Sequence, residues 1–174
     1  APRSNEVSWF ANQAGGAFAA PQTITSAVDF PRSVDASDVD GDGDLDVVCA
    51  SFLDNRVSWI ENVAGTSWNG PTNLSSNAGG AQFVRAADMD GDGDPDIVAA
   101  LATDDQIVWF PNLGGGAFGP LVTIGDNVEA ASAAEVADLD GDGDLDIVAT
   151  SFLLDEVLWF ENLGAGSFSP AKVI

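Results

Sequence analysis

Asp38-Val39-Asp40-Gly41-Asp42-Gly43-Asp44-Leu45-Asp46 returns as Asp88-Met89-Asp90-Gly91-Asp92-Gly93-Asp94-Pro95-Asp96, and again as Asp138-Leu139-Asp140-Gly141-Asp142-Gly143-Asp144-Leu145-Asp146. Each copy begins 50 residues after the one before. Five carboxylates within nine residues repel one another and cannot all ionise cheaply without a cation among them. Asp at alternate positions about a Gly turn supplies the oxygen-rich cage that a hard divalent cation prefers. The competing reading is a solvated acidic turn; three copies in one register favour the metal.

The spacing assigns side-chain carboxylates to the first, third, fifth and ninth positions: Asp38, Asp40, Asp42 and Asp46; Asp88, Asp90, Asp92 and Asp96; Asp138, Asp140, Asp142 and Asp146. The seventh residue (Asp44, Asp94, Asp144) gives its backbone carbonyl, its side chain turned to water. At the sixth, Gly43, Gly93 or Gly143, the chain turns sharply and a Cβ is expected to clash. An EF-hand begins with a similar spacing but needs a bidentate Glu at its twelfth position and helices on both sides. Here the twelfth residues are Cys49, Ala99 and Ala149, inside short apolar runs of strand type. The expected cation is calcium, about three per chain. Transition metals fit poorly in a chain with no His and a single Cys, and magnesium tolerates crowded all-protein cages badly.

The chain has 174 residues, the size of one ordinary domain, and a net charge of −23. Fifteen of its 28 acidic residues lie in the three loops, so bound calcium would offset part of that charge. With only five Lys and Arg residues, nucleic acid is not expected as a partner. No apolar run reaches the length of a membrane span, so no membrane insertion is expected. The first residues do not read as a signal peptide, so a mature or excerpted sequence is expected. Cys49 stands where the other copies have Ala99 and Ala149, which reads as a small buried side chain. Calcium sites of this kind, with dissociation constants of roughly 10⁻⁴ to 10⁻³ M, fill only outside the cytosol. The expected location is therefore extracellular, secreted or at the cell surface.

The period extends beyond the acidic loops. Trp9, Trp59, Trp109 and Trp159 recur at steps of 50, followed three residues later by Asn12, Asn62, Asn112 and Asn162. Gly-rich turns then end in Phe18, Trp68, Phe118 and Phe168. The recurrent Trp residues read as packing between units, and Trp68 as a Phe equivalent. Copy two shows four strands best: Phe83 to Met89, Asp96 to Leu101, Ile107 to Asn112 and Leu121 to Ile124. Four-stranded units of this length predict an all-β chain of β-propeller blades. The units are a half blade at 1–26 and blades at 27–76, 77–125 and 126–174.

The pattern Asp-x-Asp-x-Asp-Gly-x-x-Asp, leading into Asp-Ile-Val-Ala and later Trp-Phe-x-Asn-x-Gly-x-Gly-x-Phe, resembles the FG-GAP/VCBS repeat family. The resemblance implies integrin α-like propeller blades, with calcium in the hairpin loop between a blade's first two strands. It implies less about function, since such repeats serve adhesion proteins, lectins and ancillary modules of secreted enzymes. Two strands plus three full units make three and a half blades, an incomplete ring where closed propellers have roughly 4 to 8. Self-association, or further repeats of a longer chain, is therefore expected.

Catalysis is not expected: there is no His, no Gly-x-Ser-x-Gly and no pair of placed carboxylates. Asp104-Asp105 and Asp155-Glu156 read as solvated turns. The leading reading is an adhesion or ligand-binding module for protein or carbohydrate. The alternatives are a purely structural subunit of a cell-surface assembly or filament, and a lectin or ancillary domain of a secreted carbohydrate-active enzyme. The segments 29–32, 79–82 and 127–130 vary between otherwise regular copies, as do Asp35, Arg85 and Glu135, so a ligand could be read there.

Overall fold

The computed structural model describes residues 5–65 and 67–174, and every regular element among them is a strand. Residues 1–4 of the expected half blade and Thr66 lie outside the described residues. Three four-stranded antiparallel sheets follow in order along the chain. Blade one is Pro31–Ser37, Asp46–Ser51, Arg56–Ile60 and Thr72–Ser75; blade two is Ala81–Ala87, Asp96–Leu101, Gln106–Phe110 and Val122–Gly125. Blade three is Ala131–Ala137, Asp146–Ser151, Glu156–Phe160 and Lys172–Val173. Before them Val7–Trp9 pairs with Gln22–Thr25 as a two-stranded half blade. The chain is thus all-β, an incomplete propeller-like arc. In blade two the first strand starts and stops two residues earlier than the sequence pattern suggests, because Asp88 and Met89 already belong to the loop.

The second strand of each blade explains where the core lies. Side chains alternate between the two faces of a strand, and here both faces are apolar. Ile97, Ala99 and Leu101 join the cluster shared with blade one, while Val98 and Ala100 join the cluster shared with blade three. A third cluster, Val7, Val28, Val47, Cys49 and Ile60, joins the half blade to blade one. The core is therefore a series of seams between sheets. On the far flank of blade three the same positions are open: Leu139 is 43% exposed, where Val39 is 0% and Met89 2%.

The recurrent Trp residues fill these seams. A Cβ placed on Gly116 would run into the Trp59 ring, and one on Gly166 into the Trp109 ring. Each indole is thus roofed by the Gly-rich turn of the next blade, and Phe168 closes edge-on over Trp109 at 6.3 Å. Covering roughly 150 Å² of ring at about 25 cal/mol per Å² stabilises each seam by about 4 kcal/mol. The expectation of Trp as inter-unit packing holds at Trp59 and Trp109.

The first strands, Pro31–Ser37, Ala81–Ala87 and Ala131–Ala137, stand side by side on the inner side of the arc. Each carries a β-bulge near its start, at Pro31/Ser33, Ala81/Phe83 and Ala131/Ala133.

Candidate metal centres and the clasps between blades

Each acidic loop joins the first and second strands of its blade, and its backbone folds around its own carboxylates. In loop one Asp38 accepts from the N–H groups of Gly41 (2.9 Å) and Gly43 (3.0 Å), Asp40 from Asp42 (3.1 Å) and Asp42 from Asp44 (2.9 Å). Loops two and three repeat the pattern from Asp88, Asp90 and Asp92 and from Asp138, Asp140 and Asp142. Gly43 has φ +96°, but a Cβ there would meet nothing within 4 Å. The expected clash is absent. The requirement is the left-handed backbone, which L-residues adopt at a cost of about 1–2 kcal/mol.

The loops bring oxygens of three carboxylates together in each copy: Asp38, Asp40 and Asp42; Asp88, Asp90 and Asp96; Asp138, Asp140 and Asp142. The ninth residues Asp46, Asp96 and Asp146 are fully buried. Their two oxygens accept from Val39 N and Asn62 N, from Met89 N and Asn112 N, and from Leu139 N and Asn162 N. They tie the loop to the end of the third strand. The seventh residues lie apart from these groups. A Cβ on Gly114 would sit 3.1 Å from Asp94 Oδ2, so this carboxylate leans over the Gly-rich turn instead of standing free in water. Asp144 lies near Gly164 in the same way but stays exposed to water, as expected, and Asp44 is farther from its turn, 3.9 Å from a Cβ on Gly65.

The electrostatics fit a hard cation. Burial pushes the Asp96 carboxyl up to about 6, against the hydrogen bonds from Asn112 and Met89 that lower it. The Trp109 indole N–H also faces Asp96 and lowers it slightly, short of hydrogen-bond geometry. Asp40, Asp90 and Asp140 are likewise raised, first by burial and then by neighbouring carboxylates. Those neighbours include Glu61 beside Asp40 and Glu161 beside Asp140, two acids the loop spacing does not reveal. No Lys or Arg pairs with a loop carboxylate among the described residues. An oxygen-only donor set with uncompensated charge is what a divalent cation relieves.

The loops are also gripped from the next blade. Asn112 Nδ2 donates to Val39 O in loop one (2.8 Å) and to Pro95 O (3.0 Å); Asn162 Nδ2 donates to Met89 O in loop two (2.9 Å) and to Leu145 O (3.1 Å). Among the described residues the Asn62 amide has the intra-blade partner Leu45 O (3.1 Å) and none in a neighbouring blade. A second clasp repeats at the other end of the blades. Asn5 Oδ1 accepts from Phe30 N, Asn55 Oδ1 from Gly80 N and Asp105 Oδ1 from Ala130 N. Asp104 accepts from Gly79 N at 2.7 Å. Asp105 is thus a joint between blades rather than part of a solvated turn, whereas Asp104 stays exposed and caps the start of its own blade. The recurrence of Asn5, Asn55, Asp105 and Asp155 at steps of 50 could have signalled this.

Asp35, Arg85 and Glu135 meet one another. Arg85 lies 3.6 Å from Asp35 and donates through Nε to Glu135 at 3.0 Å. Their variation is explained by mutual pairing across the first strands, and no ligand is needed to account for it.

A sequence model described as FG-GAP-like repeat matches residues 1–49, 38–99 and 88–149. The comparison with curated proteins found no match. Among solved structures, an Agrocybe aegerita lectin described as recognising non-reducing terminal N-acetylglucosamine superposes with a TM-score of 0.65 at 21% identity. The alignment covers 98% of this chain and 46% of the lectin, so the chain spans about half the length of that structure. At this identity the likeness is one of fold.

Proposed function

This chain belongs to the FG-GAP-like repeat family, and from that premise we propose that it is a calcium-stabilised, non-catalytic carbohydrate-binding module. It works outside the cytosol as part of a larger assembly. The observation that carries the calcium reading is the threefold convergence of Asp38, Asp40 and Asp42; Asp88, Asp90 and Asp96; and Asp138, Asp140 and Asp142. Four carboxylates per loop, each triplet joined by Asp46, Asp92 or Asp146, together with the backbone carbonyl of the seventh residue, supply the ligand set. At 1 mM calcium and a dissociation constant near 0.1 mM, three sites contribute about 4 kcal/mol. Chelation should lower the melting temperature, with calcium restoring it better than magnesium; an unchanged melting curve refutes the cages.

The carbohydrate reading is supported by the lectin's fold and by a crevice between the half blade and blade one. It has a volume of about 540 Å³ and is lined by Trp9, Trp68, Gln22, Thr23 and Asn62 among others. Trp9 is 40% exposed where Trp59 and Trp109 are 8% and 6%. Where Gly116 and Gly166 roof those rings, the sequence of this junction has Thr66. Aromatic faces beside amide and hydroxyl groups suit a sugar ring. Titration with N-acetylglucosamine-terminated oligosaccharides should give binding that Trp9→Ala abolishes; no binding across a glycan array ends this reading.

The open flank of blade three, with Leu139 and Val157 exposed, favours assembly with a further blade-like surface. Light scattering at micromolar concentration in calcium should show association. A well-dispersed monomer would remove the assembly and leave the sugar reading intact.

A further inference from the structure

At the ends of the strands opposite the acidic loops, the three first-strand bulges converge on one cavity. The extra residue in each bulge is Arg32, Gln82 or Ser132, and all three line a hollow of about 360 Å³ together with Phe52 and Phe152. Bulges re-aim side chains and are over-represented beside binding sites. Three bulges in one register carrying three different residues, in repeats that otherwise keep their pattern, place the variation at this hollow.

Arg32 is held there. Its guanidinium lies 5.2 Å from the centroid of Phe30, whose ring meets Phe52 edge-on at 6.2 Å. Its Nε donates to Gln82 Oε1 at 3.2 Å. Among the described residues no carboxylate pairs with Arg32, whereas Arg56 and Lys172 have one each and Arg85 has two. Phe30 reaches this place with φ +56°, where the equivalent residues are Gly80 and Ala130. A bulky residue in that conformation is strained by about 1–3 kcal/mol, and such strain clusters at ligand sites.

We propose that this hollow binds a carboxylate-bearing sugar, with the acid group on the terminal nitrogens of Arg32 and the ring against Phe52 and Phe152. With Gln82 Oε1 engaged by Arg32, the amide left to face a ligand is a donor, so this side of the hollow presents donors to an anion. Phe152, 73% exposed, supplies an apolar wall for the C–H face of the ring. A hollow this size takes about one sugar unit. The chain's acidity does not forbid it: the nearer acids Asp29 and Asp35 are engaged by Asn5 Nδ2 and Arg85, and the acidic loop begins at Asp38, six strand residues or about 20 Å away, roughly 2.5 Debye lengths at physiological salt. The choice of a sugar over an acidic peptide rests on the carbohydrate reading; the hollow itself is separate from the Trp9 crevice.

The experiment is a titration of the calcium-loaded chain with glucuronate, its methyl ester, glucose and a short Asp/Glu peptide, followed by NMR. Glucuronate should bind and the other three bind at least tenfold more weakly. Arg32→Gln should weaken glucuronate tenfold or more and Arg32→Lys in part, while Arg56→Gln has no effect; melting curves check that the variants fold. Equal binding of glucose or the ester, glucuronate binding that survives Arg32→Gln, or preference for the peptide overturns the proposal. Neutral sugars bound through Trp9 with no response to glucuronate would sink this site alone. No sugar bound at all would sink both readings.

Discussion

Asn112→Ala tests the clasp between blade one's loop and blade two. The side chain is fully buried and makes three bonds: Nδ2 to Val39 O and Pro95 O, and Oδ1 from Gly114 N at 3.1 Å. At about 1 kcal/mol net per hydrogen bond, plus about 1–3 kcal/mol for leaving buried partners unsatisfied, the loss is about 4–6 kcal/mol. Asn62→Ala removes the more exposed bond to Leu45 O, for about 1 kcal/mol. At about 2–4 °C per kcal/mol for a chain of this size, the two variants should melt roughly 10 °C apart. Urea unfolding and calorimetry in 1 mM calcium measure both. Since Asn112 holds Val39 in loop one and Pro95 in loop two, its loss should weaken calcium at both Asp38–Asp46 and Asp88–Asp96, whereas Asn62→Ala should reach Asp38–Asp46 alone. Asn62→Ala and Asn112→Ala variants of equal stability would refute the clasp argument.

Asp92→Ala should impair calcium titration more than Asp94→Ala, because Asp92 is a proposed side-chain ligand while Asp94 leans on Gly114; equal effects would overturn that division. Gly166→Ala should destabilise by several kcal/mol beyond Gly16→Ala. Both have positive φ, but the Gly166 Cβ would strike Trp109 while that of Gly16 meets open space, so urea midpoints that coincide would deny the roofing role. The metal-free chain should gain stability on acidification from pH 7.5 to pH 5. Asp96 titrates at about 6 in the fold, above its unfolded value, so its favourable contribution belongs to the protonated form and disappears as pH rises through 6. In saturating calcium the slope should reverse, because protons then compete with the metal; denaturation in chelator that is flat across this range would refute the burial argument.

The blade pattern was legible because Trp59, Trp109 and the Asp-Ile-Val-Ala runs repeat their burial along with their spacing. The acidic loops were legible for the same reason. What the sequence withheld was direction in space. Nothing in Asn112 announces that its amide crosses to Val39, 73 residues away, instead of staying within its own turn. Asp35, Arg85 and Glu135 looked like free variation because complementarity across strands is visible only once the strands are adjacent. The Arg32 hollow depends on a bulge and on the positive φ of Phe30, and neither leaves a signature in residue type.

The Asn clasps point one way. Blade two holds loop one and blade three holds loop two, and among the described residues no Asn amide reaches back the other way. The chain therefore has mechanical polarity. A loop that loses its cation slackens the seam on its C-terminal side and leaves the seam behind it intact. Pulled from its ends or challenged by a protease, a chain depleted at Asp88–Asp96 alone should part between blades two and three, with the first two blades released as a joined piece. The position of the empty loop would then be written in the length of the fragment.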